Sequence, residues 1–165
     1  MIHHREHTKR IFIGKVPVGG GAPVTVQSMT NTLTSDVESS VSQVLSLTRA
    51  GCDLVRISIP DEDSLTAFRE IKSRVKVPLI ADIHFDYRLA VGAIDAGADA
   101  IRINPGNIGS RDRVRKVAKT ASAAGIPIRV GVNLGSVKKR LLEAFGEDRV
   151  GALVENAREY VEMLE

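Results

Sequence analysis

Three arginines stand in or beside apolar segments of this 165-residue chain, at Arg56, Arg102 and Arg129. Side chains alternate across a strand, so a strand whose other face is wholly apolar turns these arginines toward one interior. The planar guanidinium fork suits phosphate oxygens. Three converging guanidinium groups repel one another unless an anion lies among them. The pattern therefore predicts a phosphate or diphosphate site.

Further polar groups belong to the same predicted layer. Asp82, His84, Asn104 and Asn133 follow the inward alternation and form its polar rim, and Gln27 is expected in the layer on the first strand. Backbone N–H groups at helix starts bind anions. The predicted helix starts of this kind are Gly109, Ser110, Gly135 and Ser136. Structural alternatives stay open: Asp82 balances Arg56 or Arg102, His84 is a structural histidine, and the asparagine turns only cap helices.

Five apolar runs supply the strands that would position these groups. They are Val24–Met29, Leu54–Ile59, Leu79–Ile83, Ala100–Ile103 and Ile128–Val132. Helical periodicity lies between them, and units of strand plus helix indicate a parallel sheet. Ser35 with Glu38 has the spacing of a capping box and predicts the first helix start. A short hairpin is expected over 11–18.

An internal repeat favours a barrel over a doubly wound sheet. Residues 50–57 (AGCDLVRI) match residues 96–103 (AGADAIRI) two units later. Equivalent positions of this kind are typical of a TIM-type (β/α) barrel, which has eight units. Because about five are found, we expect an incomplete α/β barrel over 11–165, preceded by a basic N-terminal arm over 1–10, and hence a fragment of a longer protein.

Composition excludes several classes. The net charge of +3 equals that of residues 1–15, so the body is neutral and lacks the basic face of a nucleic-acid-binding protein. No apolar run is long enough for a membrane helix, and no signal peptide is recognised. One cysteine, Cys52, cannot form a multi-cysteine metal site. We expect a cytoplasmic protein without metal ligands, nucleic acid or membrane partners.

Four motifs resemble a known family. They are Val26–Thr32 (VQSMTNT), Ala81–Arg88 (ADIHFDYR), Arg102–Gly109 (RINPGNIG) and Arg129–Asn133 (RVGVN), in this order. Together they closely resemble the 4-hydroxy-3-methylbut-2-en-1-yl diphosphate synthases of the non-mevalonate isoprenoid pathway. The resemblance extends from about Lys9 to Glu165.

The resemblance implies an oxidoreductase with a TIM-type barrel and a smaller iron–sulfur domain. Its substrate would be 2-C-methyl-D-erythritol 2,4-cyclodiphosphate, with the diphosphate held by Arg56, Arg102 and Arg129. Asp82, Asn104 and Asn133 would contact the substrate, and His84 stands in the same motif. A [4Fe-4S] cluster, fed by ferredoxin or flavodoxin, would open the ring reductively, and the enzyme would be a homodimer.

The cluster ligands of the family, three cysteines and a glutamate, have no counterpart in this chain. We therefore expect the substrate-binding barrel portion, inactive by itself. Two alternatives remain open: a dihydropteroate-synthase-like transferase barrel, which also holds a diphosphate, and a non-catalytic partial barrel that binds an anion.

Overall fold

The structure is a computed structural model that describes residues 5–165. The first four residues of the predicted arm lie outside the described residues. Arg5–His7 form a turn of 3-10 helix, and the Nη2 of Arg5 donates to the Ala22 carbonyl at 2.7 Å. The N–H groups of Gly20 and Gly21 also donate to Thr8 Oγ1 and to the Arg5 carbonyl, so the described part of the arm is attached to the glycine turn at 19–21.

Two sheets are present among the described residues. Strands β1 (Ile11–Ile13) and β2 (Val16–Val18) form the predicted antiparallel hairpin. The second sheet is parallel and has the order β3-β4-β5-β6-β7. Its strands are β3 (Gln27–Met29), β4 (Leu54–Ser58), β5 (Leu79–Ile83), β6 (Ala100–Ile103) and β7 (Ile128–Val130). Neighbouring strands are consecutive in the chain, which confirms the predicted strand–helix units.

Helices connect the parallel strands. They are α1 (Val37–Arg49), α2 (Glu62–Arg74), α3 (Tyr87–Asp95), α4 (Pro105–Ile108), α5 (Arg111–Ala124), α6 (Lys139–Phe145) and α7 (Arg149–Leu164). The capping prediction for α1 is wrong by one residue. Asp36, not Ser35, is the N-cap and accepts from the Ser39 backbone N–H, because a carboxylate caps as well as a hydroxyl. No helix between Arg5 and Glu165 is both long and apolar enough to cross a bilayer.

The two faces of the parallel sheet have different chemistry. The face toward the helices is apolar: Ile57, Ile83 and Ile103 are fully buried with Phe68 and Ile71 of α2. The opposite face has two layers. Its N-terminal layer consists of Leu54, Ile80 and Ala100, which pack against Ile13, Val16 and Val18 of the hairpin. The hairpin thus closes the N-terminal end, and the charged layer lies toward the C-terminal end.

The aspartates of the internal repeat have a structural role. The Oδ2 of Asp53 accepts from the Val26 N–H at 2.8 Å, and the Oδ2 of Asp99 accepts from the Leu79 N–H at 2.7 Å. Each carboxylate thereby satisfies a backbone donor in the preceding strand segment. The aspartate of the internal repeat therefore has the same structural role in two strand–helix units.

Three strand predictions were too long; that for β4 extends to Ile59, one residue past its observed end at Ser58. β3 begins at Gln27, and Val24 and Val26 are 74% and 55% exposed, because β3 is an edge strand. β7, the opposite edge, ends at Val130 rather than Val132. The strands β5 and β6, which have neighbours on both sides, begin and end where predicted.

Candidate functional site

A buried carboxylate lies at the centre of the charged layer. Asp82, on β5, is 2% exposed and pairs in register with Ser58 of β4 and Arg102 of β6. The Nη1 of Arg102 donates to Asp82 Oδ1 at 3.1 Å, and the Nε of Arg56 lies 3.5 Å from Asp82 Oδ2. Two of the three predicted arginines therefore meet at one carboxylate.

Arg56 has a second, unexpected partner. Its Nε and Nη2 lie 3.3 and 3.2 Å from the sulfur of Met29 on β3. A thioether is a weak acceptor, so this contact orients the guanidinium without neutralising it. About a quarter of the Arg56 side chain stays exposed, which leaves donors for a ligand.

The third arginine does not reach Asp82. Arg129 is exposed on β7, beside Arg102 in the register, and its Nη1 donates to the Gln27 Oε1 at 2.9 Å. The layer therefore contains three guanidinium groups and one carboxylate, an excess of two positive charges. Asp82 supplies one of the negative charges that the three converging arginines require. The remaining charge favours an external anion of two or more negative charges.

His84 stands at the edge of this cluster. Its Nε2 lies 3.5 Å from Asp82 Oδ2, and nearly half of its side chain is exposed. The ring also meets Phe85 edge to face, with centroids 6.0 Å apart. His84 is therefore placed where a ligand over Asp82 would touch it.

Gly131 is a site residue that sequence reasoning missed. A Cβ at this position would overlap the guanidinium of Arg102. Only a glycine lets the Arg102 side chain lie against the backbone that follows β7. A glycine at the end of an apolar run signals such a close approach, and this signal was available in the sequence.

The two rim asparagines form loop contacts with their side chains. Asn104 is 1% exposed, accepts from the Gly106 N–H at 3.1 Å and donates to Ser136 Oγ at 2.9 Å. The Oδ1 of Asn133 accepts from the Ser136 N–H at 3.0 Å. Ser136 thereby joins the loops that follow β6 and β7. The predicted substrate contacts of Asn104 and Asn133 stay predictions, since these side chains brace the loops in the structure.

The predicted helix starts differ from each other. Ser110 is the N-cap of α5 and makes no side-chain capping bond, while Gly109 precedes it with φ of 109°. Gly135 and Ser136 do not open an α-helix: they lie in a 3-10 turn, Leu134–Ser136, and the next helix starts at Lys139. That part of the prediction is wrong because the Asn133 side chain closes a short capping box on Ser136.

The chain does not fit an iron–sulfur cluster. Among the described residues no group of three or more His, Cys, Asp or Glu side chains could hold a metal. The one cysteine of the sequence, Cys52, is half-buried and packs against the main core. The guanidinium groups of the charged layer offer donors that suit an anion.

Comparisons with known sequences give one consistent relationship. A model of the GcpE TIM-barrel domain matches residues 8–165. The 4-hydroxy-3-methylbut-2-en-1-yl diphosphate synthase (flavodoxin) of Haemophilus influenzae strain 86-028NP is 55% identical over 99% of this chain and 44% of its own length. The enzyme of the same name from Ruminiclostridium cellulolyticum is 55% identical over 98% of this chain and 46% of its own length. The chain thus spans less than half of the curated relatives it matches.

Solved structures confirm the fold class. Xanthomonas albilineans dihydropteroate synthase aligns with a TM-score of 0.56 and 16% identity, over 90% of this chain and 60% of that chain. The 7,8-dihydropteroate synthase from Vibrio fischeri ES114 gives 0.55 and 12%, over 90% and 63%. Identities this low show the fold alone, so the dihydropteroate-synthase-like alternative is not favoured over relatives that are 55% identical.

Proposed function

The chain belongs to the GcpE TIM-barrel domain family, and from that premise we propose that it is the substrate-binding barrel portion of an oxidoreductase of isoprenoid biosynthesis. The reaction proposed is the reductive conversion of 2-C-methyl-D-erythritol 2,4-cyclodiphosphate to 4-hydroxy-3-methylbut-2-enyl diphosphate. Support comes from the names of the relatives and from one observation: Arg56 and Arg102 converge on the buried Asp82 at the C-terminal ends of neighbouring strands. Active sites of (β/α) barrels lie at this end.

In this proposal the diphosphate lies over Asp82 and accepts from Arg56, Arg102 and Arg129. Asp82 keeps the first two guanidinium groups in place before the ligand arrives, which lowers the ordering cost of binding. The Asp82 carboxylate also repels a diphosphate. In this proposal the carboxylate and the diphosphate therefore accept from different N–H groups of the same arginines. Contacts to the non-reacting diphosphate position the reacting part of the substrate.

The redox part of the reaction has no ligand set in this chain. The resemblance implies a [4Fe-4S] cluster. We propose that its ligands come from polypeptide other than these 165 residues. Flavodoxin, which forms part of the names of the relatives, is the proposed electron donor. The homodimer and the cytoplasmic location expected from the family remain predictions.

Calorimetric titration of the chain tests the binding function. We expect the cyclodiphosphate to bind the wild type and to bind Arg102→Ala at least about tenfold more weakly, because a charge-assisted contact is worth more than about 1.4 kcal/mol. Arg49→Ala, an exposed arginine at the opposite end of the sheet, is the matched control. Tighter binding of a pterin diphosphate than of the cyclodiphosphate would support the transferase alternative and overturn the proposal.

A further inference from the structure

The exposed side of α5 is strongly basic. The helix contains five basic residues and one acid, Asp112, whose Oδ1 lies at 4.0 Å from Arg115. No carboxylate of residues 5–165 lies within 4.0 Å of the other four, which are Arg111, Arg113, Lys116 and Lys119. Some cations elsewhere pair inside the chain, as Lys72 does with Asp99, whereas exposed cations such as Arg49 and Lys76 have no ion pair within 4.0 Å among residues 5–165, so what distinguishes α5 is the clustering of its cations. The net charge of residues 16–165 is zero and therefore does not reveal this local excess of positive charge.

Two of these cations stand where positive charge disfavours the helix. Arg111 and Arg113 lie in the first turn of α5, where the helix dipole disfavours positive charge. Arg113 and Lys116 also share one aromatic ring: the Cζ of Arg113 and the Nζ of Lys116 lie 5.5 and 5.6 Å from the centroid of Tyr87. The ring holds two like charges near each other, and an external anionic group would relieve their repulsion.

An exposed aromatic ring adjoins these cations. Phe85 is 71% exposed, and with Asp86, Tyr87, Arg88 and Arg113 it lines a groove of about 410 Å³. The Asp86 carboxylate accepts from Arg88 at 2.7 Å and also attracts Arg113, so one acid faces two arginines in this groove. An exposed Phe and a half-buried Tyr beside Arg match the enrichment of aromatic residues and arginine in protein–protein interfaces. A nucleic-acid site would need several exposed rings for stacking, whereas Tyr87 is half-buried beneath its two cations.

We propose that this surface, the rim face (Phe85, Tyr87, Arg88, Arg113 and Lys116), docks an acidic electron-donor protein whose carboxylates face the cations. The inference rests on the proposed function, which makes flavodoxin the donor. The rim face adjoins the diphosphate site through one residue, because Phe85 contacts His84 and His84 lies 3.5 Å from Asp82. A protein bound there stands beside the mouth of the barrel.

Biolayer interferometry tests this surface by measuring the affinity of purified acidic flavodoxin for the 165-residue chain. We expect the affinity of the wild type to fall at least about tenfold between about 50 and 300 mM NaCl, since exposed charges are screened. R113E/K116E is expected to bind at least about tenfold more weakly at low salt. R49E/K76E reverses two exposed cations at the opposite end of the sheet, is the matched control, and should bind as the wild type does.

Two further measurements keep the outcomes distinct. Circular dichroism verifies that each variant is folded, and pyrophosphate titration verifies the diphosphate site. R113E/K116E must bind pyrophosphate as the wild type does. Absent or salt-independent flavodoxin binding, or equal losses in both double variants, overturns the docking proposal and leaves the binding function standing. A 20-nucleotide DNA or anionic vesicles bound through the same cations, with flavodoxin unbound, overturn it as well. Wild-type chain that binds flavodoxin but no pyrophosphate would contradict the proposed function instead.

Discussion

Arg129 of β7 donates from Nη1 to the Gln27 Oε1 of β3 at 2.9 Å, joining the two edge strands of the parallel sheet through their side chains. The residues are 102 positions apart in the chain. This contact requires the sheet to curve around its charged face, as the wall of a barrel does. Gln27 is neutral, so the contact orients Arg129 and leaves its charge uncompensated.

Arg129→Ala should therefore separate binding from stability. The side chain is exposed, and we expect the unfolding free energy to change by less than about 0.5 kcal/mol. Pyrophosphate affinity should fall about tenfold or more, because an unneutralised guanidinium is lost from the site. Calorimetry and thermal unfolding measure the two quantities. Gln27→Ala is the control and should keep affinity within about threefold; an Arg129→Ala affinity that also stays within about threefold of the wild type would place Arg129 outside the site.

Asp82→Asn should show what the buried carboxylate does. Arg56 and Arg102 would then face each other without a counter-ion, and we expect a loss of about 3 kcal/mol in the free energy of unfolding. Pyrophosphate should restore more stability to this variant than to the wild type, since the added anion takes the place of the carboxylate. Thermal shifts with and without pyrophosphate decide this. A variant as stable as the wild type without ligand would mean that Asp82 is not the counter-ion.

The sequence predicted which side chains belong to the charged layer better than it predicted the contacts between them. Alternation along each strand was enough to turn Arg56, Asp82 and Arg102 to one side, because their opposite faces are apolar. It was not enough to pair Arg129 with Gln27 or Arg56 with Met29, since those contacts depend on how strongly the sheet curves. Local sequence contains no such information.

The edges and loops were predicted less well for related reasons. A central strand such as β5 is buried on both faces, so its apolar run marks its ends. At the edge strand β3 the apolar run continues past the hydrogen-bonded residues, as the exposed Val24 shows. Gly135 and Ser136 were expected to start a helix, but the Asn133 side chain caps a 3-10 turn on Ser136, and this depends on the geometry of one loop.

Gly131→Ala should disturb the site without touching a charged residue. The added methyl group overlaps the Arg102 guanidinium and forces that side chain away from Asp82. We expect pyrophosphate affinity to fall nearly as far as in Arg102→Ala. The double variant supplies the control: because both changes act through one guanidinium, their effects should not add. Fully additive losses would contradict this role for Gly131.

The carboxylate of Glu159, in α7, predicts that the free energy of unfolding depends on pH. A hydrogen bond from Lys138, with Nζ to Oε2 at 2.6 Å, lowers the pKa of Glu159; burial opposes the shift, and Arg140 adds to it. A lowered folded-state pKa adds stability above the ordinary value near 4.5, and this stability is lost as the pH falls through the folded-state pKa.

The stability difference between wild type and Glu159→Gln, followed by denaturant unfolding, isolates this group from other carboxylates. It should favour the wild type at pH 7 and shrink progressively once the pH drops below about 4.5. A difference that is constant from neutral to strongly acidic pH would show that the two ion pairs contribute nothing through ionisation.

The central claim is that Arg56, Arg102 and Arg129 hold one diphosphate. NMR of the arginine Nε–Hε groups in ¹⁵N-labelled chain, titrated with pyrophosphate, tests it at the level of single side chains, with resonances assigned through single Arg→Lys variants. We predict saturable shifts of these three resonances with one common dissociation constant, while Arg49 and Arg74 stay unchanged. Shifts confined to other arginines, or three different dissociation constants, would contradict the account.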